Sequence, residues 1–410
     1  MQLQHHPQAT TSRCVRHTAI ARLQAAKPHS HSSRRVQLLR TAAAGHEAAS
    51  QKEAAGADLA AKKAATHTIV FSAAQYVQGF LAQPLKEAGF KNVEFTEAVL
   101  DKKTAKLADG CQVACIFVND ECDAETVECL AKCGVKLIAL RCAGFDRVDL
   151  EACRQHGIKV VRVPTYSPTS VAEHAVALLM ALNRRLAQAH VRVSAGNYSL
   201  TPLVGSELRG KRAAVLGTGA IGTEAVRILK GIGMEVVAYD IRKNPAVEAM
   251  GVEYVSMEDA LPWADVISVH VPLLESTHHF IDGDRIAMMK PGAILLNVSR
   301  GGLVDSQALC DGLENGQLGG LGMDVYEAEG GLFFTDWTDM PLEARMKNWD
   351  RRFKMLTAYP QVLITPHSAF LTHEALANIA ATTVANMEEF LAGQPLTNEL
   401  QPKPEKAAVR

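Results

Sequence analysis

At 410 residues with 48% hydrophobic content, the chain can fill more than one core, so two domains are expected rather than one. Its 43 basic and 44 acidic residues nearly cancel, which gives no reason to expect a nucleic-acid partner. No run approaches the roughly 18 apolar residues that cross a bilayer, and nine cysteines, an odd count, argue against a disulfide framework.

The first acid is Glu47. Before it stand Arg13, Arg16, Arg22, Lys27, Arg34, Arg35 and Arg40 among Ser, Thr, Ala and His. An Arg-rich, acid-free start without an apolar stretch of about 7–15 residues reads as an organelle transit peptide, not a secretory signal. The Ser, Thr and Ala among the bases incline the reading to the chloroplast, with the mitochondrion as the alternative. A basic tail for nucleic acid is the competing reading. Residues 1–66 are taken as this leader plus a linker.

From there the pattern alternates. Strands are expected over Ile69–Ser72, Val93–Thr96, Cys115–Val118, Leu137–Leu140 and Val160–Val163, and helices over Gln75–Ala88, Ala124–Cys133 and Leu150–His156. Such alternation implies a doubly wound parallel sheet. Seven cysteines fall between Cys111 and Cys153 with no C-x-x-C pair and no histidine completing a metal pattern. They read as buried thiols, with redox regulation as the alternative, and no metal is expected. Beyond a break between Pro164 and Pro168, Ser170–Val193 reads as one long helix, apolar on most faces and so buried between domains or subunits. Glu173 and His174 on it are expected to hydrogen-bond inside that interface.

The next stretch carries the strongest signal. An apolar strand at 213–216 runs into Gly217, Gly219 and Gly222 with G-x-G-x-x-G spacing. A helical run over Thr223–Lys230 follows, and a second strand ends at Asp240. Strand, glycines, helix and an acid about 20 residues on form the dinucleotide fingerprint. The pyrophosphate then lies at the helix N-terminus. Asp240 favours NAD(H), because a carboxylate accepts from the ribose 2′-OH and repels a 2′-phosphate. Arg242 and Lys243 keep NADP open. Further strands over Ala264–His270, Ile294–Val298, Leu321–Val325 and Val362–Thr365 complete a whole dinucleotide-binding domain, and helices are expected over residues 304–314 and Leu371–Leu391. The expected fold is α/β, with two doubly wound parallel-sheet domains. A Rossmann NAD domain with an interdomain helix (167–367) is inserted in a flavodoxin-like substrate domain (67–166 and 368–400), and 401–410 is a polar tail.

Ligands of such sheets bind beyond the carboxyl ends of the strands. Asp240, Arg300, Asp324, Glu329 and His367 fall there. Reduction of a 2-keto acid needs a planar fixed cation for the carboxylate, which arginine supplies by two parallel N–H···O bonds. It needs a proton for the carbonyl oxygen, which histidine supplies near neutral pH. A carboxylate beside the imidazole fixes the tautomer and favours the protonated form. Arg300, His367 and Glu329 suit these roles. Alternatives stand beside each: Arg300 bridging cofactor phosphates, Glu327 as the imidazole's partner, and His367 as a packed loop residue. His174, His270, His278 and His279 read as structural. No G-x-S-x-G elbow supports a serine nucleophile, and no closely spaced ligands support a metal.

On these residues the chain resembles the D-isomer-specific 2-hydroxyacid dehydrogenases. The likeness rests on RCAGFDRVD at 141–149, VPTYSP at 163–168, VAEH at 171–174, LGTGAIG at 216–222, NVSRG at 297–301, GMDVYEAE at 322–329 and TPHSAF at 365–370. GLFFTDW at 331–337 and FLTHEA at 370–375 look like the D-lactate-forming branch. The resemblance implies Arg300, Glu329 and His367 as the catalytic set, choosing Glu329 over Glu327. It implies Ala143, Gly144, Tyr166, Arg300 and Phe370 at the substrate. With the dinucleotide it implies Gly217, Gly219, Ala220, Ile221, Gly222, Asp240, Val271, Pro272, Thr277, Val298, Ser299, Arg300 and Asp324, although Thr277 stands where relatives often carry asparagine. It also implies a homodimer and NADH-dependent reduction of pyruvate to D-lactate in fermentation. Hydroxypyruvate, glyoxylate or branched 2-keto acids are alternative substrates. A dinucleotide-sensing corepressor on the same fold is an alternative class, against which the leader argues.

Overall fold

Short apolar runs between turn residues fold here as buried parallel strands. In the computed structural model, which describes residues 53–402, the strands are β1 (His67–Val70), β2 (Asn92–Phe95), β3 (Val113–Ile116), β4 (Leu137–Leu140), β5 (Lys159–Val161), β6 (Arg212–Leu216), β7 (Glu235–Tyr239), β8 (Glu253–Tyr254), β9 (Val266–Val269), β10 (Ala293–Asn297), β11 (Leu318–Met323) and β12 (Val362–Ile364). The expectations for residues 1–46 and for 403–410 lie outside the described residues.

The first sheet has the order β2-β1-β3-β4-β5 and the second β12-β11-β10-β9-β6-β7-β8. Every strand pair in both is parallel. These are the flavodoxin-like and Rossmann orders, the second extended by β12. Parallel strands are covered by helices on both faces, so β3, β4 and β9 are apolar and buried at every position or nearly so. In β1, Ile69 points into one core with Ile116 and Ile138. Its neighbour Val70 points into the other with Val113, Leu137 and Met387, as the period of two requires.

The second sheet is inserted in the chain of the first. The His373–Leu391 helix, started by the Thr372 hydroxyl accepting from Ala375 N at 3.2 Å, sends Ile379 into one core of the first sheet and Met387 into the other. The chain beyond it returns to β5. Leu400 N donates to Val160 O at 2.8 Å and Arg162 N to Asn398 O at 3.2 Å, and Asn386 Nδ2 donates to Arg162 O at 2.9 Å.

The helix expected over Ser170–Val193 is two helices, Pro168–Asn183 and Leu186–Ser194. Arg185 adopts a left-handed conformation with φ of 48°, and the Asn183 amide turns outward to pair with Ser206. Leu179, Leu182 and Leu186 keep helical spacing across this junction, so periodicity alone does not reveal it. The first helix begins on a Ser167 cap with Pro168 in its first turn and buries Val171, Ala175, Leu178 and Leu179. The second buries none of its residues. The two-residue edge strand β8 was not legible in the sequence either. All eight described cysteines are free thiols.

Leu179 is fully enclosed in the core shared by the Pro168–Asn183 helix and the fingerprint helix Ala220–Gly231. Leu179→Ala is predicted to cost about 2–5 kcal/mol of stability. Urea unfolding measures this, and a loss well under that range would mean the helix is not part of a tightly packed core.

Candidate active site

β6 ends in Gly217, whose φ of 95° lies where side-chain-bearing residues are strained. A Cβ there would lie 2.7 Å from the His270 carbonyl carbon and from Val271 N, and one on Gly222 would lie 1.9 Å from Gly217 O. Both positions are closed to any other residue by the backbone. A Cβ on Gly219 would meet nothing within 4 Å. That open space lies where Gly219 caps the Ala220–Gly231 helix, whose free N–H groups suit an anion. Ala220 is exposed and Ile221 half-buried beside it. The residues therefore fit a dinucleotide pyrophosphate.

Asp240 follows β7. Its Oδ2 accepts from Thr218 N at 2.6 Å and Thr218 Oγ1 at 3.0 Å, and its Oδ1 from Arg242 N at 3.0 Å. Burial pushes this carboxyl up, but those bonds outweigh it and hold it below the usual range. It remains an ionised acceptor suited to a ribose hydroxyl. Across the cradle, Val271 O and Ser299 Oγ are joined at 2.8 Å, beside buried Val298. Pro272 is exposed. Thr277 spends its hydroxyl inside the loop, accepting from Leu274 N and donating to Pro272 O, both at 2.7 Å.

Parallel pairing puts the ends of β10, β11 and β12 on the same edge, and with them Arg300, Glu329 and His367. His367 Nδ1 lies 3.0 Å from Glu329 Oε1. Glu329 Oε2 accepts from Tyr326 N at 3.1 Å. Burial pushes the Glu329 carboxyl up. The His367 bond, the Tyr326 amide and the Arg300 guanidinium outweigh that and hold it low. An ionised Glu329 accepts only, so Nδ1 carries the proton in this bond and Nε2 is left for another partner. Glu327 faces away, 2.6 Å from His279 Nε2 and accepting from Ser306 Oγ at 2.8 Å. The two candidate carboxylates are thus separated by geometry.

Asp324 follows β11. It is fully buried, and its oxygens accept from Thr365 Oγ1 at 2.5 Å, Ser368 N at 2.8 Å and Ala369 N at 2.8 Å. It braces the loop that carries His367. The Thr365 proton goes to Asp324, so His174 Nε2, 2.9 Å from Thr365 Oγ1, donates to that hydroxyl. His174 is a structural hydrogen-bonder, as its sequence setting suggests. His270, also read as structural, is buried, with burial taking its imidazole down to about 4.

Arg300 donates from Nη1 to Ser299 O at 2.8 Å and from Nε to Asp146 Oδ2 at 3.3 Å. A Cβ on Gly144 would fall 2.1 Å from Arg300 Nη2, so a larger residue there would push the guanidinium from its present place. Among the described residues, the Ala143 and Gly144 amides find no acceptor within the chain. A cavity of about 130 Å³ is lined by Phe117, Gly144, Asp146, Arg147, Arg300 and Glu329, among others. Next to it runs a series of aromatic rings, with centroids 6.1 Å apart for Tyr166–Phe370, 5.7 Å for Phe370–Phe117, 5.6 Å for Phe117–Phe334 and 5.9 Å for Phe334–His367. Burial pushes the Tyr166 phenol up to about 12, so it stays neutral. Phe334 and His367 both sit at positive φ, 62° and 55°. Each costs of order 1–3 kcal/mol, and such strain gathers at functional sites. Sequence reasoning missed Phe117, Phe334, Asp146 and Thr365. Asp146, Phe334 and Thr365 lay inside the segments that carried the resemblance, which was the one signal for them.

Comparison with known proteins agrees with this geometry. The family described as D-isomer specific 2-hydroxyacid dehydrogenase, NAD binding domain, matches residues 176–369. The chain is 45% identical over 331 residues to the D-lactate dehydrogenase of Escherichia coli K12, covering 81% of this chain and 98% of that one. Among solved structures it is similar to the pyruvate reductase of Chlamydomonas reinhardtii, at 59% identity and a TM-score of 0.79, with 82% of this chain and 100% of that one covered. It is similar over the same shares to a D-lactate dehydrogenase with NAD+ from Lactobacillus jensenii, at 29% identity and a TM-score of 0.68. The chain belongs to the D-isomer-specific 2-hydroxyacid dehydrogenase family and is an NAD-dependent oxidoreductase of 2-hydroxy acids.

Proposed function

We propose that the chain reduces pyruvate to D-lactate with NADH, and runs in reverse, using Arg300, Glu329 and His367. The observation that carries this reading is that a guanidinium and the carboxylate partner of an imidazole share one small cavity: Arg300 and Glu329 line it, and Glu329 is bonded to His367. NADH supplies the hydride that C2 of the keto acid receives. Arg300 pairs with the substrate carboxylate, aided by the amides of Ala143 and Gly144. His367 Nε2 gives its proton to the carbonyl oxygen as C2 gains the hydride, so the ketone becomes an alcohol. Glu329 stays ionised throughout and stabilises the imidazolium that precedes transfer. Tyr166, Phe370 and Phe334 wall the site and keep water from it. In the oxidative direction neutral His367 takes the hydroxyl proton.

The small cavity suits a short keto acid, as does the likeness to a pyruvate reductase and to D-lactate dehydrogenases. One methylene is worth only about 1–3 kcal/mol of discrimination, so the substrate must be measured. Steady-state kinetics across pyruvate, hydroxypyruvate, glyoxylate and branched keto acids are predicted to give the highest kcat/KM with pyruvate. A far higher value for another acid would reassign the substrate. In the same assay His367→Gln is predicted to lose at least about a hundredfold in kcat while NADH affinity is kept. Near-normal turnover would remove His367 from the proton path.

The working division of the chain is a substrate domain over 67–166 and 368–400 around a cofactor domain over 167–367, with a chloroplast leader ahead of them. The leader is tested by where a fluorescent protein fused to residues 1–66 accumulates in cells, and exclusion from plastids would refute it. The chain is also read as a homodimer. Leu186, Val191, Val193, Tyr198, Leu200 and Val204 are all more than half exposed within one short segment. Clustered apolar exposure of this kind marks an association surface. Light scattering on the eluting protein should give twice the chain mass, and a monomer at micromolar concentration would contradict this.

A further inference from the structure

We propose that His278, His279 and Glu327 form a binding site for one borderline divalent transition-metal ion such as Zn2+, at the edge of the cavity that Arg300 and Glu329 line. Among the described residues these three place one ligand atom each within 4.8 Å of one another. The sequence shows no such site, because Glu327 is 48 positions from His279. The fold supplies it by joining the loops that leave β9, β10 and β11.

The backbone is arranged for convergence. Consecutive residues of an extended chain point to opposite sides. Here His279 sits at φ of 51°, a conformation that a residue with a Cβ adopts only when its surroundings impose it. The turn brings both imidazoles to one side, stacked with centroids 4.0 Å apart and planes 28° apart. The His279 amide holds it there by donating to Gly302 O at 2.8 Å.

A second layer orients these ligands. Glu327 Oε1 lies 2.6 Å from His279 Nε2, while its other oxygen accepts from Ser306 Oγ at 2.8 Å. Asp305 Oδ2 lies 3.8 Å from His279 Nδ1, on the ring nitrogen opposite the one facing Glu327. At that distance Asp305 is not hydrogen-bonded to the ring and contributes negative charge beside the ligands. Two imidazoles and one carboxylate match the ligand preference of Zn2+ and leave a fourth position open. Mg2+ and Ca2+ prefer oxygen donors throughout. The ion would displace the proton between His279 and Glu327, and these groups need to part by on the order of 1 Å or less to reach Zn–N and Zn–O distances of about 2.0–2.2 Å.

The test is a titration of the metal-free full-length chain with ZnCl2 in a non-chelating buffer, by calorimetry and by thermal unfolding. The leader has histidines of its own, so the readout is the difference between proteins. The wild type should bind one Zn2+ more per chain than His278→Ala and show a rise in melting temperature that the variant lacks. His279→Asn, chosen because asparagine tolerates the left-handed backbone, should show the same loss. Zinc-free kcat and KM of His278→Ala should match the wild type, and MgCl2 at equal concentration should leave the melting temperature unmoved. Equal zinc binding by wild type and both variants, or a zinc-induced rise in melting temperature that His278→Ala retains, would overturn the assignment.

Discussion

The site depends on one buried side chain, Asp324. Its oxygens are enclosed where β11 ends, and the groups that reach them are the Thr365 hydroxyl and the amides of Ser368 and Ala369. The Asp324 carbonyl takes the His367 amide at 2.8 Å. Four hydrogen bonds thus clamp the turn after β12 on both sides of His367. A left-handed histidine is unfavourable on its own. Here the bonds around it impose that geometry and aim its ring at Glu329. A buried polar group left without partners costs about 1–3 kcal/mol, so neither Asp324 nor its loop can shift independently. The rigidity of the His367–Glu329 pair is inherited from this clamp.

The second requirement is that two sheets contribute to one place. The second sheet presents Asp240, Arg300, Glu329 and His367 at strand ends, because all of its pairings are parallel. The first presents Gly144 and Asp146 from the loop after β4, with Gly144 lacking the Cβ that would strike Arg300. The aromatic series crosses between them. Phe117 follows β3, Tyr166 and Phe370 flank the crossings of the chain, and Phe334 comes from the segment after Glu329. Each ring alone is an ordinary apolar contact. Their sequence of contacts gives the reactive groups an apolar wall, and charge interactions strengthen when water is excluded.

Much of this was legible in the residues. The buried strands read as apolar runs, and Leu137–Leu140 and the Gln75–Ala88 and Ala124–Cys133 helices have the bounds their patterns suggest. The fingerprint glycines and Asp240 were readable because each has a distinct steric or hydrogen-bonding duty. What escaped was set by contacts distant in sequence. Nothing local marks Asp324 as a clamp, because its partners are Thr365, Ser368 and Ala369. The break at Arg184 and Arg185 depends on Asn183 reaching Ser206. Phe117 fell within an expected strand and Phe334 within a segment of the resemblance, neither singled out, and the meeting of His278, His279 and Glu327 appears only when the loops after β9 and β11 are brought side by side. Choosing Glu329 over Glu327 needed either family likeness or the fold.

The most direct test of the central claim is a crystal structure of the protein with NADH and oxamate, which has the shape and charge of pyruvate but resists reduction. The account predicts the oxamate carboxylate paired with Arg300 and within reach of the Ala143 and Gly144 amides. Its carbonyl oxygen should lie about 2.6–3.2 Å from His367 Nε2, with the nicotinamide ring over the neighbouring carbon. Oxamate bound with Arg300 and His367 turned away from it, in a complex that also holds NADH, would contradict the account.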